Sequence, residues 1–202
     1  MKKYIICLMY ALIPIIMFAQ RKKTPVVFGL KAGVLMANAG PDFTDENGTT
    51  YDYQPRFGIV FGGRAQVTVN KNFLIMPELN FIGKGANRYQ DFNNGNRYDI
   101  SPTLSAFLEL TANFLFTTSS KTGKFMLGGG PSAALNLDEY SDMLGKKDFG
   151  INVMTGYLLP IGFSFEINYN KGLSKQRPYD SFLYSTSDIK TSSLEFSIGY
   201  TF

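Results

Sequence analysis

Apolar residues recur at every second position in short stretches along the chain, from Val26 to the C-terminal Phe202. A period of two residues places those side chains on one face of a β-strand and leaves small or polar residues on the other. The stretches occupy residues 26–37, 57–69, 73–84, 98–116, 124–137, 148–158, 161–173 and 194–202. Lengths of about 10 to 13 residues suit strands that cross a bilayer at a tilt, and exceed the roughly 5 or 6 usual in soluble sheets. The pattern therefore predicts an all-β fold, an eight-stranded antiparallel up-and-down transmembrane β-barrel.

The connections between these stretches alternate between long and short. Long polar connections cover residues 38–56, 85–97, 138–147 and 174–189, and short ones lie near residues 70–72, 117–123 and 159–160. Bacterial barrels have short turns on the periplasmic side and longer loops outside the cell. The alternation predicts that both chain ends face the periplasm, in the outer membrane of a Gram-negative bacterium.

Aromatic residues collect near both ends of the predicted strands, as the two interfacial girdles of a membrane barrel require. The girdle predicted at the periplasmic rim contains Phe28, Phe73, Phe114, Phe116, Phe125, Tyr157, Phe163, Tyr200 and Phe202. The girdle predicted at the opposite rim contains Phe57, Phe81, Tyr98, Phe149 and Tyr169. A soluble β-sandwich is the alternative architecture, but it gives no reason for aromatic residues to collect at strand ends.

The N-terminal segment has the pattern of a secretory leader. Two lysines and an apolar run, together residues 2–18, precede the small residue Ala19, as in a signal peptide. The apolar run is shorter than the roughly 20 residues of a spanning helix, so an uncleaved anchor is the less favoured alternative. Cys7 lies near the start of the run, whereas a lipid-modified cysteine would lie at its end. We predict a signal peptide over residues 1–19 and an outer-membrane β-barrel domain over residues 20–202.

The residue inventory restricts the chemistry available to the mature chain. The sequence contains no histidine, and its one cysteine, Cys7, lies in the predicted leader. Serine–histidine and cysteine–histidine nucleophile systems, thiolate metal sites and imidazole metal sites are therefore excluded. The acidic segment 42–48 lacks the spacing of an EF-hand loop, and a net charge of +4 is too small to indicate nucleic-acid binding. We predict no enzyme activity, cofactor or metal; an enzyme would need a mechanism that uses carboxylates alone.

Several charged residues fall on the predicted inward face of the strands. They are Lys31, Arg64, Glu78, Lys84, Glu109, Asp148, Glu166 and Glu195. An eight-stranded barrel is just wide enough to be filled by its own side chains, so inward charges must pair across the lumen. We predict a structural charge network in which Lys31 and Arg64 are the cationic centres, with Glu78, Glu109, Glu166 and Glu195 as candidate partners. A pair of carboxylates acting as acid and base is the alternative interpretation, and a narrow solute passage or small-ligand site is the second functional hypothesis.

The predicted external loops carry aromatic residues among aspartate, asparagine, arginine and serine. These aromatic residues are Tyr51, Tyr53, Tyr89, Phe92, Tyr140, Tyr179, Phe182 and Tyr184. Such side chains suit contact with a protein or a glycan, although solvated loops above an aromatic girdle have a similar composition. The first functional hypothesis is a non-enzymatic, structural or interaction-mediating membrane protein that acts through its extracellular loops.

Short motifs follow one another along the predicted strands in a characteristic order. They are Pro77-Glu78-Leu79-Asn80-Phe81 with Lys84-Gly85, Gly128-Gly129-Gly130-Pro131, Asp148-Phe149-Gly150, Tyr169-Asn170-Lys171-Gly172-Leu173 and Gly199-Tyr200-Thr201-Phe202. In this order they resemble the PorT-like small outer-membrane β-barrel proteins of Bacteroidetes, and the resemblance covers the whole mature chain. Members of that family have been linked to protein secretion and gliding in some bacteria. The resemblance implies a barrel surrounded by outer-membrane lipid.

The last predicted strand is similar to the terminal signal that the outer-membrane barrel assembly machinery reads. Its alternating apolar residues are Leu194, Phe196, Ile198, Tyr200 and Phe202. The similarity implies that this assembly machinery is a partner of the chain.

Overall fold

The computed structural model describes residues 26–40, 43–44, 50–92, 96–118, 120, 122–138, 146–174 and 190–202. The predicted signal peptide, most of the acidic segment 42–48, and the loop residues Tyr140, Tyr179, Phe182 and Tyr184 lie outside the described residues. Among the residues described, no helix is long and apolar enough to cross a membrane.

Nine antiparallel strands form within these residues. They are β1 (Val26–Gly40), β2 (Phe43–Thr44), β3 (Thr50–Asn70), β4 (Phe73–Asp91), β5 (Arg97–Thr117), β6 (Lys124–Asn136), β7 (Lys147–Leu158), β8 (Phe163–Gly172) and β9 (Lys190–Thr201). β1 pairs with β9 on one side and with β3 on the other, so the eight long strands close into a barrel. The two-residue strand β2 pairs with β3 only. The predicted eight-stranded antiparallel barrel is confirmed.

Burial along the strands follows the predicted two-residue period. In β8, Phe163, Phe165 and Ile167 are exposed, whereas the intervening Ser164 and Glu166 are buried. Apolar side chains therefore cover the outer surface while most polar side chains of the strands point into the lumen, which is the reverse of a soluble protein. This arrangement suits a wall that faces hydrocarbon.

The barrel has two structurally different ends. We define the turn end as the end where short turns join β3 to β4, β5 to β6 and β7 to β8, and where Val26 and Phe202 lie. The opposite end is the loop end. The turn before β8 is closed by Gly162, whose φ of 92° is readily adopted only by glycine, and its NH donates to the Leu159 carbonyl at 3.0 Å. β8 consequently begins at Phe163, two residues later than the predicted start at residue 161.

Three strands continue past the loop end of the barrel. The sequence predicts loops for two of these continuations, at residues 50–55 and 86–91, whereas the third lies almost entirely in the predicted stretch 98–116. Residues 50–55 of β3 pair with residues 86–91 of β4, which pair in turn with residues 97–103 of β5. The pairing of β1 with β3 stops at Arg56, and that of β5 with β6 at Phe107, so this sheet stands beyond the closed barrel. We call residues 50–55, 86–91 and 97–103 the loop-end extension.

Two irregularities separate the extension from the barrel wall. Between Pro55 and Val60, five residue steps on β3 face the four steps from Ala86 to Ile82 on β4, as in a β-bulge. The extra residue moves Tyr51 and Tyr53 to the buried side of the sheet. The prediction that Tyr98 belongs to an aromatic girdle is wrong, because it pairs with Gln90 in the extension.

Candidate functional site

The middle of the lumen contains a lysine held between two carboxylates. Lys31 Nζ lies 2.8 Å from Glu78 Oε2 and 2.8 Å from Glu195 Oε1, with side-chain exposures of 1%, 2% and 9% for the three residues. β1 supplies the lysine, β4 and β9 the carboxylates. The Asn80 and Asn168 side-chain amides each donate to one carboxylate, on Glu78 and Glu195 respectively, at 3.3 Å. This cluster ties three strands together across the barrel.

A second buried pair lies toward the turn end. The Arg64 guanidinium of β3 donates to Glu166 of β8, and both side chains are fully buried. Arg64 also donates to Ser164 Oγ at 2.8 Å and to Thr201 Oγ1 at 3.2 Å. A Cβ atom at position 199 would lie 2.6 Å from Arg64 Cζ, so Gly199 provides the space that the guanidinium occupies.

A third ion pair joins adjacent strands nearer the loop end. Lys84 Nζ of β4 lies 2.8 Å from Glu109 Oε2 of β5, and 5.4 Å from the centre of the Phe107 ring. The sequence places Lys84 on the inward face, but it gives no reason to rank this lysine with Lys31 and Arg64. The structure brings all six residues of the predicted charge network into ion pairs, with Lys84 as an additional cation.

Apolar side chains fill the other part of the lumen. Near the turn end, a cluster contains Leu74, Met76, Leu115, Met126 and Met154. We call it the turn-end apolar cluster; its three methionines have no exposed surface. The sequence signal for it is the run from residue 73 to residue 77, in which both faces of the strand are apolar, as expected where both faces are covered.

The opposite wall of the lumen is polar from one end to the other. The inward residues of β8 and β9 are Ser164, Glu166, Asn168, Asn170, Gly172, Thr191, Ser193, Glu195, Ser197 and Gly199. We call this surface the polar wall. At its loop end, Thr191 Oγ1 donates to Asp148 Oδ2 at 2.6 Å. Within the described part of the chain, no group of three or more acidic, histidine or cysteine side chains has a metal-binding arrangement.

The loop-end extension carries an exposed cluster centred on an arginine. Arg97 Nη2 lies 2.7 Å from Asp52 Oδ2, and Arg97 Nε lies 3.7 Å from Asp91 Oδ1. The guanidinium carbon lies 4.2 Å from the centre of the Tyr89 ring, within the range of a cation–π interaction. These contacts hold Arg97 in place while its side chain stays 45% exposed.

Two further aromatic side chains lie on the opposite face of this sheet from the arginine, because Tyr98 directly follows Arg97 in β5 and pairs with Gln90. The Phe92 and Tyr98 rings meet edge to face, with centres 5.6 Å apart and planes at 88°. They are 38% and 57% exposed. Behind them, the Gln90 side-chain amide donates to the Tyr51 hydroxyl at 3.3 Å. The extension therefore presents aromatic and cationic groups on a paired backbone rather than on an irregular loop.

The C-terminal strand closes the barrel. The Phe202 NH donates to the Phe28 carbonyl at 3.0 Å, and the Tyr200 ring lies 4.9 Å from the Phe163 ring. The alternating apolar residues of the predicted assembly signal all lie on the outer face: Leu194 is half-buried, and Phe196, Ile198, Tyr200 and Phe202 are exposed.

Comparisons with known proteins found several solved structures with partial similarity to this chain. The solved structures that match include Neisserial surface protein A (NspA), at 14% identity over 87% of this chain and 97% of that chain, with a TM-score of 0.49. The attachment invasion locus protein Ail of Yersinia pestis, in complex with the heparin analogue sucrose octasulfate, matches at 13% identity over 88% and 99%, with a TM-score of 0.42. OprG from Pseudomonas aeruginosa matches at 12% identity over 89% and 97%, with a TM-score of 0.43. No curated protein matches the chain at a significant level.

The family assignment depends on the sequence. Residues 18–202 match the family described as "Outer membrane protein beta-barrel domain". This match covers nearly the whole chain and includes all nine strands. The chain therefore belongs to this family of β-barrel proteins and is a protein of the Gram-negative outer membrane.

Proposed function

We propose that this chain is a non-enzymatic outer-membrane protein whose loop-end extension binds a protein or a glycan outside the cell. The observation that carries the proposal is the continued strand pairing of residues 50–55, 86–91 and 97–103. Six paired residues at about 3.3 Å each project the sheet by about 20 Å along the strand direction. A fixed projection of this length presents its side chains well beyond the hydrocarbon.

The side chains of the extension suit recognition. Arginine and aromatic residues are enriched at the energetic centres of protein interfaces. Here Arg97 on one face of the extension, and Phe92 and Tyr98 on the other, each keep part of the side chain exposed. The salt bridge from Asp52 and the Tyr89 ring already fix the arginine. Less side-chain freedom is therefore lost when a partner binds.

The test is a binding comparison on the intact barrel. We expect the purified full-length mature chain in nanodiscs to bind at least one class of glycan on a glycan array, or to crosslink to a partner protein in cells through a photoreactive residue at position 99, which is exposed in the extension. The triple variant Phe92→Ser, Arg97→Ala, Tyr98→Ser should lose that signal. The charge-reducing control Lys71→Ala, Lys124→Ala, at the turn end, should keep it. Equal binding by the triple variant would contradict the proposal.

The charged side chains of the lumen have a structural role in this proposal. We propose that Lys31, Arg64, Glu78, Glu109, Glu166 and Glu195 form a charge network that holds opposite strands together, since all six are buried in ion pairs. A narrow solute passage is the second candidate function, favoured by the polar wall that runs the length of β8 and β9. Conductance across planar bilayers that changes in Arg64→Gln or Glu109→Gln would support the passage; conductance at the level of the bare bilayer would reject it.

Processing and assembly complete the proposal. We infer that residues 1–19 are removed as a signal peptide, that residues 20–202 form the barrel domain, and that the chain is PorT-like. N-terminal sequencing of the mature protein tests the first inference. We infer too that the barrel assembly machinery reads Leu194, Phe196, Ile198, Tyr200 and Phe202. Deleting Phe202 should then lower the amount of folded barrel in the outer membrane, whereas unchanged amounts would reject this role.

A further inference from the structure

Three exposed lysines lie on the outer wall of the barrel at its loop end. Lys147, Lys171 and Lys190 are all exposed, and each alternates with a buried inward residue. They belong to the neighbouring strands β7, β8 and β9. We call these three residues the basic rim.

The strand register places the basic rim within the span of one lipid headgroup region. Lys171 pairs with Ile151 on β7 and with Ser192 on β9. Lys190 is two residues beyond Ser192, and Lys147 is four residues beyond Ile151, both toward the loop end. At about 3.3 Å per residue and about 4.8 Å between strands, the Cα atoms of Lys190 and Lys147 lie roughly 8 Å and 14 Å from that of Lys171.

Two lysines of the basic rim each lie directly above a lipid-facing aromatic side chain of their own strand. Phe149 is two residues from Lys147, and Tyr169 is two residues from Lys171, each toward the turn end; their exposures are 60% and 44%. Aromatic belts mark the boundary between hydrocarbon and headgroups. Long lysine side chains extend their ammonium groups from such a position into the polar layer.

The two sides of the loop end differ in charge. The outward positions of β7, β8 and β9 that the structure describes contain no aspartate or glutamate. The extension, in contrast, carries Asp52, Asp91 and Asp99 together with Arg88 and Arg97, and Arg97 forms ion pairs with two of these carboxylates. Among the described outward residues, the charged side chains at the loop end of β7 to β9 are therefore all cationic.

We propose that the basic rim binds the phosphate groups of phosphorylated glycolipids in the outer leaflet of the outer membrane. Ammonium groups bind phosphate oxygens as strong charge-assisted donors, and basic residues beside a membrane are attracted to its anionic headgroups. Anchoring at β7 to β9 also orients the barrel, since the carboxylates of the extension are repelled from the same headgroups. This surface is separate from the proposed binding face of the extension.

The test uses two charge-matched double variants of the full mature chain in a neutral detergent. Binding of monophosphorylated lipid A is measured by native mass spectrometry at low ionic strength. Lys171→Gln, Lys190→Gln should weaken binding by about tenfold or more, and adding Lys147→Gln should weaken it further. The turn-end control Lys71→Gln, Lys124→Gln should bind as the unchanged protein does. Heat-modifiable mobility on gels confirms that each variant is folded.

Two results would overturn the proposal. Equal weakening by the turn-end control would show that only net charge matters. Equal binding of dephosphorylated lipid A would show that the acyl chains, and not the phosphates, are recognised. Binding through the extension is measured separately on the glycan array and by crosslinking, so failure of either proposal leaves the other standing.

Discussion

Arg64 and Arg97 are both paired with a carboxylate, but in opposite surroundings. The Arg64–Glu166 pair in the lumen is fully buried. The Arg97–Asp52 pair in the extension has side-chain exposures of 45% and 25%. The difference teaches that the surroundings decide what an ion pair can contribute. We propose that the buried pair holds strands of the barrel together, and that the exposed pair positions Arg97 for a partner.

The physical reason is the cost of removing charge from water. Removing one member of a buried pair leaves an uncompensated charge, which costs about 3–5 kcal/mol, whereas an exposed pair contributes about 0.2–1 kcal/mol. Replacing Arg64 should therefore lower the stability of the barrel, whereas replacing Arg97 should lower partner binding with little change in stability.

The largest expected effect follows from breaking the Arg64–Glu166 pair. Arg64→Leu should lower the free energy of unfolding by about 3–5 kcal/mol, because Glu166 stays buried without its cation. Arg64→Leu with Glu166→Gln should recover much of the loss, since the amide carries no charge. Urea unfolding in lipid vesicles, followed by mobility of unboiled samples, measures both. A single variant as stable as the unchanged protein would break the comparison.

A similar loss is expected at a second buried cation. Lys31→Met removes the shared partner of Glu78 and Glu195, and should cost about 3–5 kcal/mol. Two carboxylates then lose their cation, although the amides of Asn80 and Asn168 still donate to them. The same urea titration applies, and a Lys31→Met variant as stable as the unchanged protein would contradict the structural role of this cluster.

Variants in the apolar part of the lumen test whether replacing a buried uncharged side chain also lowers the free energy of unfolding. Met126→Ala should cost about 2–5 kcal/mol through the cavity it leaves in the turn-end apolar cluster. The adjacent Leu127 faces outward and is 50% exposed, so Leu127→Ala serves as the control and should cost much less. Equal losses for the two variants would indicate that the outer face is packed as tightly as the lumen.

The smallest effect on stability is expected in the extension. Arg97→Ala should change the free energy of unfolding by less than about 1 kcal/mol, because the pair it breaks is exposed. The same variant should lose partner binding in the array or crosslinking experiment. A loss of several kcal/mol would mean that the extension supports the barrel, which would remove the contrast between the two arginines.

The sequence predicts the barrel well where one face is apolar and the other polar. In β8, Phe165 and Ile167 alternate with Glu166 and Asn168, and a period of two is sufficient to assign each side chain to a face. It fails in the extension, where Tyr51 and Tyr53 are buried although they are in phase with the exposed Phe57 of the same strand. Those strands are held by backbone pairing to their neighbours. The bulge in β3 changes the side of the sheet on which its side chains lie.

The sequence also does not predict which charged residues of the lumen pair with one another. The Lys84–Glu109 pair joins neighbouring strands, whereas Lys31 reaches Glu78 on a strand that is not adjacent to its own. Which inward residues meet across a barrel depends on strand tilt and stagger. The alternation of residue types carries no information on either quantity, so the sequence identifies the inward charges without their partners.

The position of the extension outside the cell is tested most directly by cysteine labelling of intact cells. Tyr98→Cys and Lys124→Cys would each be made in a Cys7→Ser background, because Cys7 is the only cysteine in the sequence. A maleimide that does not cross membranes should label position 98 in intact cells, and position 124 only after the outer membrane is opened. Labelling of position 124 in intact cells, with position 98 protected, would contradict the proposed orientation and the function assigned to the extension.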